Sequence, residues 1–218
     1  MKLTPNDRRY WLDMEKRIKH NLVDLSTFGF IVDHWCFHNG WTKDKHCLAR
    51  PGIVEALDRA RDNLPRGYNF KIFDGWRSRN IQKKASQETR SNLIKLHPDW
   101  SRQRITNALR SLCPFPASVL MDMGTHRFGG SLDLTVIDAS GQELEMTTKK
   151  NDAGEDTSTP DDSDQNYLLY FDNLSKPTKE ELEIRQNRHI MIGALEKVSF
   201  TSLMVEWWHW DYREDLEL

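Results

Sequence analysis

Three cysteines, Cys36, Cys47 and Cys113, are too few, odd in number and too irregularly spaced for a disulfide framework. Long apolar runs are also missing, which excludes a membrane-spanning helix. Net charge is nearly absent: 31 Lys and Arg against 33 Asp and Glu leave −2, so no global field draws the chain to nucleic acid or an anionic membrane. The start, Met1 to Arg9, lacks an apolar core and a small-residue cleavage site, so the expectation is a cytoplasmic chain, or a periplasmic one if an export leader preceded it. No repeat and no linker between two cores is visible. What is present is an ordinary soluble composition, 38% hydrophobic and 29% charged, with length enough for one real core.

Periodicity divides the chain into elements. Residues 6–22 read as a helix with Tyr10, Trp11, Met14, Ile18 and Leu22 on one face. Phe28 to Asp44 mixes aromatics with turn signals and reads as irregular. Pro51 opens a helix with Ile53, Ala56, Leu57 and Ala60 inward, closed at Leu64-Pro65-Arg66-Gly67. Tyr68, Phe70 and Ile72 alternate as in a half-buried strand, ended by Asp74-Gly75. Residues 77–110 are helical, broken near His97-Pro98. Strand-like segments follow at Val119–Thr125 and Ser131–Ile137, and Phe200–Tyr212 is a last one. Thr178 and Glu181 form a capping box for a helix burying Ile184, Met191, Leu195 and Val198. The whole predicts one α+β domain over 1–218, with its core at about 20–213. The acidic stretch 149–166 reads as a mobile loop.

Two segments carry metal-binding residue types. A catalytic zinc site takes three protein ligands and keeps a fourth position open. His126 and Asp133 stand seven apart around Phe128-Gly129-Gly130, where glycine permits the turn that brings both to one face. Glu206 and His209 stand three apart, which on a straight strand means opposite faces, so a bulge or bend is required if both reach one site. The Trp207–Trp208 pair could wall such a pocket. Spacing alone favours a satisfied histidine–carboxylate pair over a ligand set, and for Arg77 it favours a salt bridge with Asp74.

Three blocks occur in order: Asp74-Gly75-Trp76-Arg77, Thr125-His126-x-x-Gly129-Gly130-Ser131-Leu132-Asp133, and Glu206-Trp207-Trp208-His209. Together they resemble the D-alanyl-D-alanine dipeptidases, the VanX-like branch of the zinc D,D-peptidases. That family shows Asp-Gly-Tyr-Arg, Ser-x-His-x-x-Gly-x-Ala-x-Asp and Glu-Trp-Trp-His. The resemblance covers roughly residues 20–213. It implies a small, mainly antiparallel sheet flanked by helices, with the metal site on the sheet. It further implies one zinc ion (Zn2+) on His126, Asp133 and His209, Glu206 as general base, and Arg77 stabilising charge on the scissile carbonyl. The implied substrate is a small peptide containing D-amino acids, most directly D-Ala-D-Ala, with D,D- or L,D-carboxypeptidase action on peptidoglycan stem peptides as the alternative. Thr125, Asp152 and Trp208 are the implied substrate contacts. The chain departs from the family at Gly124, where serine is usual, and at Asn151, where the family has the aspartate that holds the substrate amine; Asp152 follows one step later.

Three other readings compete. Cys36, His38, His46 and Cys47 have the right types for structural zinc but lack the paired Cys-x2-Cys spacing, and are expected to bind no metal. Residues 77–110 hold nine Lys or Arg against two acids, which reads as a solvated helix face rather than a nucleic-acid site. A binding protein without catalysis would have lost a ligand or Glu206, and this chain keeps all of them.

Overall fold

The computed structural model describes residues 8–112, 126–148, 164–212 and 214. Helix α1 (Arg8–His20) ends on Arg17, Lys19 and His20, cations that suit the negative end of a helix dipole. Its Met14 and Ile18, with Leu22 beyond, pack on Phe128. Arg127 reaches back to Glu15 at 2.5 Å, so α1 lies over the segment that carries His126.

A two-stranded antiparallel ribbon joins β1 (Val23–Asp24) to β3 (Leu48–Ala49). Between them lie β2 (Ile31–Val32) and the single turn α2 (Trp35–His38), in the stretch expected to be irregular. That expectation failed because neither element is long enough to show a period. Helix α3 (Pro51–Arg61) has proline in its first turn and buries Ile53, Ala56, Leu57 and Ala60, as the pattern predicts.

The main sheet has the order β2-β4-β5-β7-β6. Strand β4 (Asn69–Asp74) runs parallel to β2 and antiparallel to β5 (Ser131–Ile137). All seven residues of β5 are buried, which places it at the centre with both faces covered. On its far side the segment read as one final strand is a hairpin, β6 (Thr201–Leu203) and β7 (Glu206–Asp211), turning at Met204-Val205. The sheet is thus mainly antiparallel, with one parallel pair at its β2 edge.

Helices α4 (Arg79–Leu96) and α5 (Arg102–Leu112) break where His97-Pro98 predicts. Ser78 caps α4 by accepting from the Ile81 N–H. Helix α6 (Lys179–Glu196) begins with both bonds of the Thr178–Glu181 capping box. Its Met191, Ala194 and Leu195 join Ile53 and Leu57 of α3, and Phe70, Ile72, Leu132, Leu134 and Val136 of the sheet, in one core. The mixed α+β architecture follows the sequence reading. No helix among the described residues is long and apolar enough to cross a membrane.

The strand expected at Val119–Thr125 lies outside the described residues, as does 149–163 of the acidic stretch. Its last three residues, Asp164–Asn166, form a 3-10 turn in which Asn166 is buried. Gln165 there is tied to Thr148 through the backbone N–H at 3.0 Å and the hydroxyl.

Candidate functional site

Strand register places three of the singled-out residues in one rank across the sheet. Asp74 of β4 lies opposite Asp133 of β5, and Asp133 lies opposite His209 of β7. Residues directly opposite on antiparallel strands hold their side chains within a few ångströms, so this register alone brings distant parts of the sequence together.

His126 enters from outside the sheet. It sits in a 3-10 turn, His126–Phe128, ahead of β5. The reversal that joins turn to strand is made at Gly129, whose φ of 65° lies in the left-handed region. A side chain there would also strike Leu22 and Arg50. The expected turn between His126 and Asp133 is therefore present, and it is held by the Gly129 N–H donating to the His126 carbonyl at 3.1 Å.

The bend expected between Glu206 and His209 is also present. On the β6 side the register jumps from Ser202–Trp210 to Leu203–Glu206, so Trp207, Trp208 and His209 bulge out of that pairing. The Trp210 indole N–H closes the bulge by donating to the Trp207 carbonyl at 3.2 Å. Glu206 Oε2 thereby comes within 3.9 Å of His209 Nδ1.

His126 Nε2, Asp133 Oδ1 and His209 Nδ1 form a triangle with edges of 3.2, 3.3 and 3.0 Å. A tetrahedral ion with bonds of about 2.0–2.1 Å separates its ligands by roughly 3.3–3.4 Å, so the triangle has the size of one tetrahedral face. The opposite ring atoms are committed elsewhere. His126 Nδ1 lies 2.6 Å from the Gly75 carbonyl, and His209 Nε2 lies 3.1 Å from Asp211 Oδ1. Both partners accept only, so each ring carries a proton on that side. The donor set fits a divalent ion of the zinc type, with outer partners that orient each ligand.

Burial and the neighbouring groups set the charges in the site. Burial works against an ionised His209, yet its hydrogen bonds to Asp133 and Asp211 outweigh it and raise the ring to about 10. Burial likewise opposes charge on Asp133, but the cationic surroundings of His126 and Arg77 hold its carboxyl well below the usual range. Burial pushes Glu206 up to about 7, helped by Asp133 and Asp211 and resisted by His209 and Arg77. A carboxyl of that kind can both take and return a proton near neutrality.

Arg77 spans the two carboxylates of the rank. Its Nε donates to Asp74 Oδ2 at 2.7 Å and its Nη2 to Asp133 Oδ2 at 2.5 Å. The salt bridge with Asp74 and a place in the site are thus compatible. Asp133 is divided accordingly, one oxygen facing the histidines and the other facing Arg77. Gly75 makes the junction possible: a Cβ there would strike the Leu48 carbonyl, and the Trp76 N–H donates to that same carbonyl at 2.6 Å.

The remaining candidates are distributed as follows. Trp208 is 8% exposed, edge-on to Trp35 at 6.5 Å and to Trp207 at 5.5 Å. Thr125 and Asp152, with Gly124 and Asn151, lie outside the described residues. The alternative quartet does not converge. His38 and His46 are exposed and paired with Asp33 at 3.2 Å and Asp44 at 2.8 Å, whereas Cys36 and Cys47 are fully buried. Cys36 instead groups with His34 and Asp74. Asp211 and the Gly75 carbonyl were not singled out from sequence. For Asp211 a signal existed: two residues after His209 on a strand it shares the histidine's face.

No family model matches the chain. It is 23% identical over 181 residues to a D-alanyl-D-alanine dipeptidase of Synechocystis, an alignment covering 78% of this chain and 70% of that protein. The resemblance to D-alanyl-D-alanine dipeptidases carried by three short blocks therefore runs through most of the chain.

Proposed function

We propose that the protein is a zinc-dependent dipeptidase that hydrolyses a small peptide containing D-amino acids, D-Ala-D-Ala foremost. The observation that supports this reading best is the meeting of the three-ligand triangle with Glu206 on one side and Arg77 on the other. The named relative, a D-alanyl-D-alanine dipeptidase, supplies the substrate class.

In this reading His126, Asp133 and His209 hold one zinc ion. Bound zinc would supply Lewis acidity, which brings the pKa of a water molecule down to about 7. Glu206 takes a proton on its carboxylate and returns it to the leaving amine; its burial fits both halves of that task. Arg77, already fixed by Asp74 and Asp133, holds positive charge where the scissile carbonyl becomes negative, a role worth roughly 3–4 kcal/mol in comparable sites. Asp211 and the Gly75 carbonyl keep the two histidines in the tautomers that ligation requires. Neither nucleic acid nor a membrane enters this scheme, and the cytoplasm is the proposed compartment.

The test is metal analysis beside D-alanine release, on the wild type and on Glu206→Ala. The expected result is about one zinc per chain in both proteins, with D-alanine released by the wild type alone. A wild type that binds no zinc would overturn the mechanism. A zinc-loaded wild type that ignores D-Ala-D-Ala but trims peptidoglycan stem peptides would reassign it as a D,D- or L,D-carboxypeptidase.

A further inference from the structure

Asp74 is fully buried and carries more donors than one arginine requires. Its Oδ1 accepts from the Gly75 N–H at 2.9 Å and faces His34 Nε2 at 3.4 Å. Its Oδ2 accepts from Arg77 Nε at 2.7 Å and from the Cys36 thiol at 2.9 Å. A carboxylate offers about four lone-pair directions, and all are taken. Sulfur so close to a carboxylate oxygen is held only as S–H, so Cys36 is a neutral donor here. Burial, followed by the charge of Asp74, pushes this thiol far above the ordinary thiol range, which keeps the proton in place.

The distribution of these donors has a consequence for Arg77. Left alone, an arginine and an aspartate close into a two-bond fork, with both oxygens engaged by one guanidinium. Here Gly75 and His34 hold both directions on Oδ1, the oxygen that a second Arg77 bond would need, while Cys36 shares Oδ2 with Arg77. Arg77 is limited to one bond from Nε, and its Nη2 is left to reach Asp133. His34 Nδ1, moreover, is buried without a hydrogen-bond partner, an arrangement that costs stability and that an apolar ring would avoid. The histidine is placed for what its other nitrogen does.

We propose that His34 is a positioning residue for Arg77, acting through Asp74 Oδ1 by preventing the two-bond fork and so holding the guanidinium across to Asp133. The catalytic consequence rests on the role given to Arg77 above; the geometric one does not.

The experiment uses the zinc-loaded full chain as wild type, His34→Phe, His34→Leu and His34→Gln. Two quantities are read: the position of Arg77 Nη2 in a crystal structure of each, and kcat and KM on D-Ala-D-Ala. His34→Phe is expected to move Nη2 from Asp133 Oδ2 to Asp74 Oδ1 and to lower kcat roughly ten- to a hundredfold with little change in KM. His34→Leu serves as the deletion if His34→Phe does not fold. His34→Gln, which keeps an N–H, is expected to hold Nη2 on Asp133 and to keep most of kcat. A folded deletion variant with Nη2 still on Asp133 overturns the proposal, as does a folded His34→Gln that loses that contact. If Nη2 moves as expected but the wild type never cleaves D-Ala-D-Ala, the positioning stands and the proposed function falls.

Discussion

Arg188 offers the sharpest test of how the structure is held together. It lies on α6 with no exposed surface, and its guanidinium makes five hydrogen bonds to four backbone carbonyls. Nε and Nη2 donate to Met146 at 2.9 and 2.6 Å, and Nη2 also to Gln165 at 2.5 Å. Nη1 donates to Tyr167 at 2.6 Å and to Leu168 at 3.1 Å. The charge also lies over the rings of Phe171 and Trp207, at 4.8 and 5.7 Å. Burial lowers the guanidinium to about 9, so it remains charged at pH 7. Replacing it in Arg188→Met keeps the length and apolar stem but leaves four carbonyls without their donor. Bonds to charged groups contribute about 1.5–3 kcal/mol each, and the cost of burying the charge cancels a large part of five such bonds. The expected net loss is about 3–5 kcal/mol. For a chain of this size that is a fall in Tm of roughly 6–20 °C, read by circular dichroism at pH 7. Arg188→Lys, with three donors on one nitrogen, should recover less than half of the loss. An Arg188→Met protein that melts within a degree or two of the wild type would refute the reasoning, because water would then be serving the carbonyls.

Two further outcomes follow from the site. Asp211→Asn should weaken zinc binding about ten- to a hundredfold in chelator competition, since Asp211 Oδ1 faces His209 Nε2 at 3.1 Å while also accepting from the Ser131 hydroxyl at 2.6 Å; undiminished affinity would remove Asp211 from the site. The acid limb of stability should depend on Arg77. Burial opposes charge on Asp74, but Arg77 above all, with the His34 hydrogen bond, brings its carboxyl down to about 2 from an ordinary 3.8. A carboxyl lowered by folding adds stability that is complete above its unfolded value and is lost as pH falls through its folded value. In metal-free protein, the stability gap between wild type and Arg77→Met should therefore shrink by about 2 kcal/mol between pH 4 and pH 2. Urea midpoints at several pH values measure it, and a constant gap would refute the assignment.

What was legible in the sequence and what was not divides along a physical line. The proposed ligand residues stand out because they fall in three ordered blocks that resemble one family, and the turns that converge them leave glycine or a broken alternation behind, as at Gly129 and between Glu206 and His209. Helices α3, α4, α5 and α6 were legible because a period repeats within each. Strand β2 was not: two residues cannot show a period, and its pairing with β4 is made with Lys71 and Ile72, 40 positions on from Ile31 and Val32. For the same reason the setting of Arg77 stayed hidden, since His34 and Cys36 reach Asp74 only through that short strand and the single turn after it. Arg188 is different, because its signal was present. It stands four residues after Ile184 and three before Met191, on the stripe that α6 buries, where position points inward and residue type points outward. Such a conflict is resolved only by a partner that satisfies the charge, and backbone carbonyls from residues 146, 165, 167 and 168 leave no mark in the sequence. A charged residue on a buried stripe therefore states that polar backbone must come to meet it, but not which backbone. In this chain the segments that do so flank residues 149–163 on either side. One side chain on α6 thus fixes both ends of the acidic stretch to the core that carries the proposed metal ligands.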